Sequence, residues 1–337
     1  MKPNRLLKSM VIGIATAGVL AVTPAIAQDT NYILNTASTG GTYHPVGTAI
    51  ATLSKIKLLP KQKFSLTAVN SAGSGANVQA LGANTAQFAI VQGLFGSYAA
   101  TGTGPVTAPQ KNMRSVSMLW QNVEQFVIAN EFVKTGTVSD LVPLKGQSMA
   151  LGRQNSGTIG SNRVLLAGLG LDMEKDFKLV HAGYGPSADA LANGQVVGIG
   201  APAGPPTGAI TKLLAANAGK FTLLSVTPEE AKKMDGGRNL WVPFTLKAGT
   251  YPGQDKDIAT IAQPNFLAVN ADVDEEHVYL LTKSIYENLA FLRAIHPATK
   301  AMDIKAATAG LPVPLHPGAL RYYKEVGLEV AEHLMAK

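Results

Sequence analysis

The order strand, loop, helix, strand, loop, helix, strand occurs twice in this chain. In its first occurrence "NYILNTA" alternates as a strand does, "STGGTYHPVG" is a glycine-rich loop, and "VGTAIATLSKI" has the 3.6-residue spacing of a helix. A strand "FSLTAVN", a loop "SAGSGAN", a helix "NVQALGAN" and a strand "AQFAIVQ" complete it. From Gln147 the order returns as "QSMALG", "RQNSGT", "IGSNRVLLAGLGL", "FKLVHA", "GYGPS", "ADALANG" and "QVVGIGA". The stretch "ALGANTAQFAI" even echoes "ALANGQVVGI". Two βαβαβ units imply crossover helices and parallel strands. The expected fold class is therefore α/β, with two lobes and mainly parallel sheets. The 337 residues suit two lobes of roughly 100 to 150 residues each.

Parallel sheets bind ligands beyond the carboxyl ends of their strands. Both units put their glycine-rich loops there: residues 38–42 and 71–75 in the first, 153–158 and 183–187 in the second. Two such edges facing each other make a cleft. "RSVSMLWQNVEQFVIAN" and "IATIAQPNFLAVN" flank the second unit and are the expected crossings between lobes. The amphipathic tail "DEEHVYLLTKSIYENLAFLRAI" is expected to form a helix that packs back on the first lobe. Residues 28–122 with 266–337 are assigned to one lobe, and residues 123–265 to the other.

The segment from Met1 to Ala27 reads as a secretory leader. Lys2, Arg5 and Lys8 precede the short apolar run "MVIGIATAGVLAV", and "AIA" ending at Ala27 is a small-residue cleavage site. That run is too short for the roughly 20 residues a membrane span needs. Cleavage after Ala27 would leave 26 basic against 22 acidic side chains, a net +4, in a periplasmic protein. The charge is too weak and too spread out for nucleic acid, but suits attraction of small anions. With no cysteine, disulfides, thiolate metal sites and a cysteine nucleophile are excluded.

A helix N-terminus offers unpaired N–H groups and roughly half a positive charge, so a carboxylate docks there without a cationic side chain. In the first loop Gly40 and Gly41 permit close approach, Thr42 supplies a hydroxyl, and Tyr43 is expected to cover a ligand as a lid. Gln92 ends a strand at the cleft edge, where it either contacts a ligand or caps the strand. Arg153 is placed to clamp a carboxylate, against the alternative of a solvated surface arginine. Tyr184 is read either as a ligand contact or as packing on the hinge face. The catalytic inventory is thin. The six histidines lack metal spacing, no G-x-S-x-G elbow occurs, and no Walker lysine follows a loop. His44 beside the first loop is a weak candidate base. The chain is thus expected to be no enzyme and to need no cofactor or metal. Two alternatives stay open: a periplasmic enzyme on the same scaffold, and a ligand-sensing subunit of a signalling receptor.

"STGGTYHPVG", "NSAGSGANVQAL", "AQFAIVQ", "NSGT", "AGTYPGQDKDIATI", "VYLLTKSIYEN" and "LPVPLHPGALRYYKEVG" together resemble the TAXI family of solute-binding proteins, the periplasmic receptors of TRAP transporters. The resemblance runs over nearly the whole chain after the leader. It implies a two-lobed periplasmic binding protein, type II-like, with its ligand cleft between the lobes. Such a receptor closes as a monomer on a small organic anion and delivers it to TRAP permease subunits. Carried over by motif, ligand contacts fall on Thr39, Gly41, Thr42 and Tyr43, on Ser74 and Gly75, on Gln92, and on Ser156, Gly157 and Thr158. Two departures stand out: Gly93 and Leu94 replace a usual Ser-Asp, and Arg153, Gln154 and Asn155 replace small residues before "SGT". The arginine points to a carboxylate, a dicarboxylate or an amino acid, read by a charge that relatives lack.

Overall fold

The computed structural model describes residues 29–335, so the expected leader lies outside the described residues. Each βαβαβ unit builds one end of one sheet. In the first, β1 (Thr30–Asn35) leads to helix α1 (Tyr43–Lys57) and the short α2 (Leu59–Gln62). Then come β2 (Phe64–Val69), α3 (Ser74–Gly82), β3 (Phe88–Gln92) and α4 (Gly93–Thr101). Helix α1 forms because Val46, Ala49, Ile50 and Leu53 recur on one buried face, and Lys55 and Lys57 in its last turn suit the negative end of its dipole. Strands β2 and β3 flank β1, and both pair with it in parallel.

The chain then leaves the first sheet along β4 (Met113–Val123) and enters the second at β5 (Phe126–Ala129). The second unit is β6 (Ser148–Ala150), α5 (Gly157–Gly168), the short α6 (Met173–Asp176), β7 (Lys178–Leu179), α7 (Tyr184–Ala192) and β8 (Gly198–Gly200). Again the first strand is central, with β7 and β8 parallel on either side. The echo noted in the sequence is structural. Thr85 N–H donates to Ala80 O, Gln195 N–H donates to Ala190 O, and the positive-φ residues Asn84 and Gly194 sit at matching turns of the two units.

After α8 (Gly208–Ala216), β9 (Phe221–Leu223) and α9 (Pro228–Asp235), the hairpin of β10 (Val242–Leu246) and β11 (Ile258–Asn270) returns the chain to the first sheet. The crossing strands join antiparallel. β11 pairs with β3, β4 and β10, while β5 pairs with β8 and β9. Both sheets are therefore mixed, with the expected parallel part confined to three strands at one end of each.

The tail packs on the first lobe as α10 (Glu275–Glu287) and α11 (Leu289–Ile295), followed by α12 (Pro317–Glu325). One continuous helix over 274–295 was the expectation. It breaks at Asn288, which leaves helical geometry (φ −124°, ψ 30°) and turns its Nδ2 onto Ser284 O at 2.8 Å. The apolar cores separate cleanly. One buries residues from Leu34 to Trp120 and again from Phe266 to Leu334; two others lie almost wholly between Val123 and Ala262. β10 and the start of β11 belong to the first sheet by hydrogen bonding, yet Leu246, Ile261 and Ala262 pack into the second lobe's cores. No helix among the described residues is long and apolar enough to cross a membrane.

Candidate functional site

Between the lobes lies a cavity of about 40 Å³, a few times the space one water needs. Four helices begin at its wall: α1 at Tyr43, α3 at Ser74, α5 at Gly157 and α7 at Tyr184. The sequence had suggested that these helices start a few residues later. Glycine, proline and tyrosine in the first turns disguised the helix starts as loops.

All four starts share one character, which α4 and α8 also have but α9 and α10 do not. None carries an acid in its first turn, and α1, α3 and α7 have no side-chain cap. By contrast α9 has a Thr227–Glu230 capping box, and α10 is capped by Asp274 and followed by Glu275 and Glu276. Among the described residues no acceptor is recorded for the N–H groups of Tyr43, Ser74, Gly157 and Thr158. No acidic side chain lines the cavity, and its one charged lining residue is Arg153. Converging N–H groups, aligned dipoles and a single cation make this surface attractive to anions.

Ten of the twelve residues singled out in the sequence line this cavity: Gly41, Thr42, Tyr43, Ser74, Gln92, Arg153, Ser156, Gly157, Thr158 and Tyr184. Thr39 and Gly75 do not. The turn closed by Gly41 N–H on Ser38 O at 3.1 Å puts Thr39, which is exposed, at its outer corner. Ser38 faces inward instead, and its Oγ accepts Tyr184 N–H at 3.1 Å. Gly75 lies under the other lobe, where Asn155 O accepts the N–H of Ala76 at 2.9 Å. Asn122, on the wall beside Gln92, was missed as a site residue; its one signal was the polar run "QNVEQ" inside an expected crossing.

Several expected ligand donors are committed to protein partners. Thr42 Oγ1 donates to Gly204 O at 2.6 Å, across the cleft. Gln92 Nε2 donates to Gly157 O at 3.0 Å and Ser161 Oγ at 2.8 Å, again from one lobe to the other. Ser156 caps α5 by accepting Ile159 N–H at 3.1 Å. Tyr184 gives its proton to Pro202 O at 2.5 Å, so Thr158 Oγ1 must be the donor in the 2.8 Å contact between the two hydroxyls. The Thr42 and Gln92 bonds hold the lobes together, the others tie groups within the second lobe, and what remains facing the cavity is mainly backbone N–H groups.

The aromatic roles are exchanged relative to expectation. Tyr43 is a fixed wall, not a lid: it is buried edge-on against Trp120, and its hydroxyl donates to Asn265 of β11. Burial holds that hydroxyl neutral by raising its pKa well above the usual phenol range. Tyr184 closes over the first lobe, its ring edge against Gly41, where an added Cβ would sit 3.1 Å from the ring. Gly41 thus admits the other lobe's tyrosine more than it admits a ligand. Arg153 stands at the mouth, exposed, with Nη1 donating to Ser71 O of the first lobe at 3.2 Å.

His44 points away and pairs with Thr36 Oγ1 at 3.2 Å, so the lining includes no histidine, carboxylate or lysine to take a proton from a hydroxyl. Among the described residues no cluster of three metal-ligating side chains occurs. The segments "YPGQ" and "HPGA" lie outside the cavity lining and brace the frame. Tyr251 holds Gln125 between β4 and β5 and accepts Thr207 N–H at 2.8 Å, while His316 caps α12.

A family model described as the NMT1-like family matches residues 34–327. MatC from Rhodopseudomonas palustris, solved with bound malate, superposes with a TM-score of 0.54 at 17% identity, over 88% of this chain and 96% of that one. The periplasmic binding protein BugD gives 0.52 at 15% identity, over 89% and 95%. A protein from Bordetella bronchiseptica RB50 gives 0.53 at 13% identity, over 90% and 85%. These likenesses show the fold: the two-lobed α/β fold of periplasmic binding proteins.

Proposed function

We propose that this chain, which belongs to the NMT1-like family, is an exported receptor whose lobes close on a small organic anion and carry it to a membrane permease. The convergence of four acid-free helix N-termini on one interlobe cavity carries the reading. A cavity built to repel anions would show first-turn acids and side-chain caps, as α9 and α10 do away from it. The separation of the cores supports a lobe of residues 28–122 with 266–337 and a second of residues 123–265. The sequence motifs favour a TRAP-type permease as partner, and the leader favours the periplasm. The receptor would act as a monomer.

The ligand class we favour is a short dicarboxylate. One end would sit on the helix N-termini and the other near Arg153 at the mouth. Malate in MatC, which shares this fold, is a ligand of that kind. A thermal-shift screen of the purified protein against mono- and dicarboxylates tests it, since a ligand at a hundred times its Kd adds about 2.7 kcal/mol to the native state. Malate-sized dicarboxylates should raise the melting temperature by several degrees. Stabilisation by neutral sugars and by no organic acid would sink the anion reading.

Arg153 provides a second test. It is exposed, so water screens part of its attraction, and Arg153→Ala should cost about 1 to 2 kcal/mol in dicarboxylate affinity, roughly five- to thirtyfold. Arg153→Lys should restore only part, because a point charge lacks the planar fork. Calorimetry with dicarboxylate and monocarboxylate decides: an equal loss for both would remove Arg153 as the second anchor.

A further inference from the structure

The joint between the lobes holds a carboxyl group that lies outside the cavity lining. Glu124 follows β4 directly and is 1% exposed. Its main chain is tied to the returning strand, with N–H donating to Ile261 O at 2.9 Å and the carbonyl accepting Thr260 Oγ1 at 2.7 Å. Side-chain Oε1 accepts Trp241 Nε1 at 2.8 Å and Gln263 Nε2 at 3.2 Å. Oε2 is buried with no partner among the described residues.

The surroundings supply no counter-charge. β11 presents Thr260 and Gln263, and the segment before β10 presents Trp241; none of these ionises. The titratable groups that feel its charge are Tyr43 of α1 and Tyr184 of α7, both kept neutral by burial. Burial pushes the Glu124 pKa up to about 7, against the opposing pull of the Trp241 and Gln263 hydrogen bonds.

Gln263 connects this carboxyl to the cleft. Its Oε1 accepts Leu94 N–H, at the start of α4 in the first lobe, at 2.8 Å. Its Nε2 also donates to Ser161 Oγ, in α5 of the second lobe, at 3.0 Å. The same Ser161 oxygen accepts Gln92 Nε2 at 2.8 Å, and Gln92 lines the cavity. Hydrogen bonds therefore run unbroken from the hinge carboxyl to the cavity wall through side chains of both lobes.

We propose that Glu124 is a positioning residue for the closed cleft, acting through Gln263, Ser161 and Gln92, and that the joint stays shut while this carboxyl is protonated and opens as it ionises. A buried carboxylate with one bare oxygen is relieved when water reaches it, and water reaches Oε2 by parting the two crossings. In the opened joint the group returns to the ordinary carboxylate range, so closure takes up a proton. The closing advantage is complete below that range, falls by up to tenfold per pH unit as pH rises toward about 7, and is gone above.

The proposal rests on the lobe closure proposed above, but its test uses the protein without ligand, so its failure is distinct from a failed anion screen. Small-angle scattering and tryptophan emission are followed from pH 5 to 8.5. The Trp241 indole donates to the carboxylate and reports its ionisation. The expected result is a joint rise in radius of gyration and change in emission with a midpoint below about pH 7 and above the ordinary carboxylate range, both lost in Glu124→Gln, which stays compact throughout. A constant radius in the wild type, or an expansion that persists in Glu124→Gln, overturns the proposal. If that variant does not fold, Trp241→Phe serves instead. It removes a bond that lowers the Glu124 pKa, so the scattering midpoint should move to higher pH, and an unmoved midpoint overturns the proposal.

Discussion

Gly75→Ala is expected to lose most of the ligand affinity while leaving the ligand-free protein, measured at pH 8, at least as stable as before. Gly75 is the second residue of α3 and has ordinary helical geometry, so within its own lobe alanine is favoured by up to about 1 kcal/mol. The obstacle lies in the other lobe. A Cβ on Gly75 would stand 2.5 Å from Asn155 Oδ1 and 2.6 Å from Asn155 O, and the second of these is backbone that cannot rotate away. That carbonyl also accepts Ala76 N–H at 2.9 Å, so the closed rim would have to part. Overpacking of this kind costs about 1 to 3 kcal/mol, which appears as roughly five- to hundredfold weaker binding if closure accompanies it. The control is Gly185→Ala, at the matching place in the second unit and also second in its helix, where an added Cβ meets nothing within 4 Å. Affinity within twofold of wild type for Gly75→Ala would show that this rim contact plays no part in binding.

This glycine shows where the sequence could be read and where it could not. The paired units, the crossings and the cavity-facing loops were legible because hydrophobic period and glycine placement are local signals. Ten residues that line the cavity followed from those loops and from motif resemblance. Yet the reason for Gly75 is the carbonyl of Asn155, in the other unit of the chain, and nothing near Gly75 announces it. Ser38 and Thr39 differ only in which side of one tight turn they occupy, which hydroxyl chemistry cannot decide. Antiparallel pairing of β11 beside β3 was equally hidden, since a strand's residues say that it is buried but not which way its neighbour runs. Glu124 stands in the quoted crossing "RSVSMLWQNVEQFVIAN" and reads there as an ordinary polar residue. Only the packing of Trp241 and Gln263 around it makes it a buried acid without a counter-ion.

Tyr43→Ala should destabilise the ligand-free protein by about 3 to 5 kcal/mol, the usual loss for emptying a buried aromatic site, and lower its melting temperature by roughly 6 to 15 °C. Two observations motivate this. The ring lies within the first lobe's own core, 6.0 Å from the Trp120 ring in an edge-on contact. Its hydroxyl donates to Asn265 Oδ1, and that oxygen has no other recorded partner among the described residues, so truncation also strands a buried acceptor. Tyr43→Phe separates the two effects: it keeps the ring and should cost only the stranded acceptor, about 1 to 3 kcal/mol. Tyr184→Ala should behave in the opposite manner. That ring is partly buried and spans the cleft onto Gly41, so its loss should fall chiefly on ligand affinity and only modestly on the melting temperature. Thermal unfolding and calorimetry on the three variants distinguish a wall from a lid. A Tyr43→Ala protein that melts within about 2 °C of wild type yet binds poorly would return Tyr43 to the lid role that its position after two glycines first suggested.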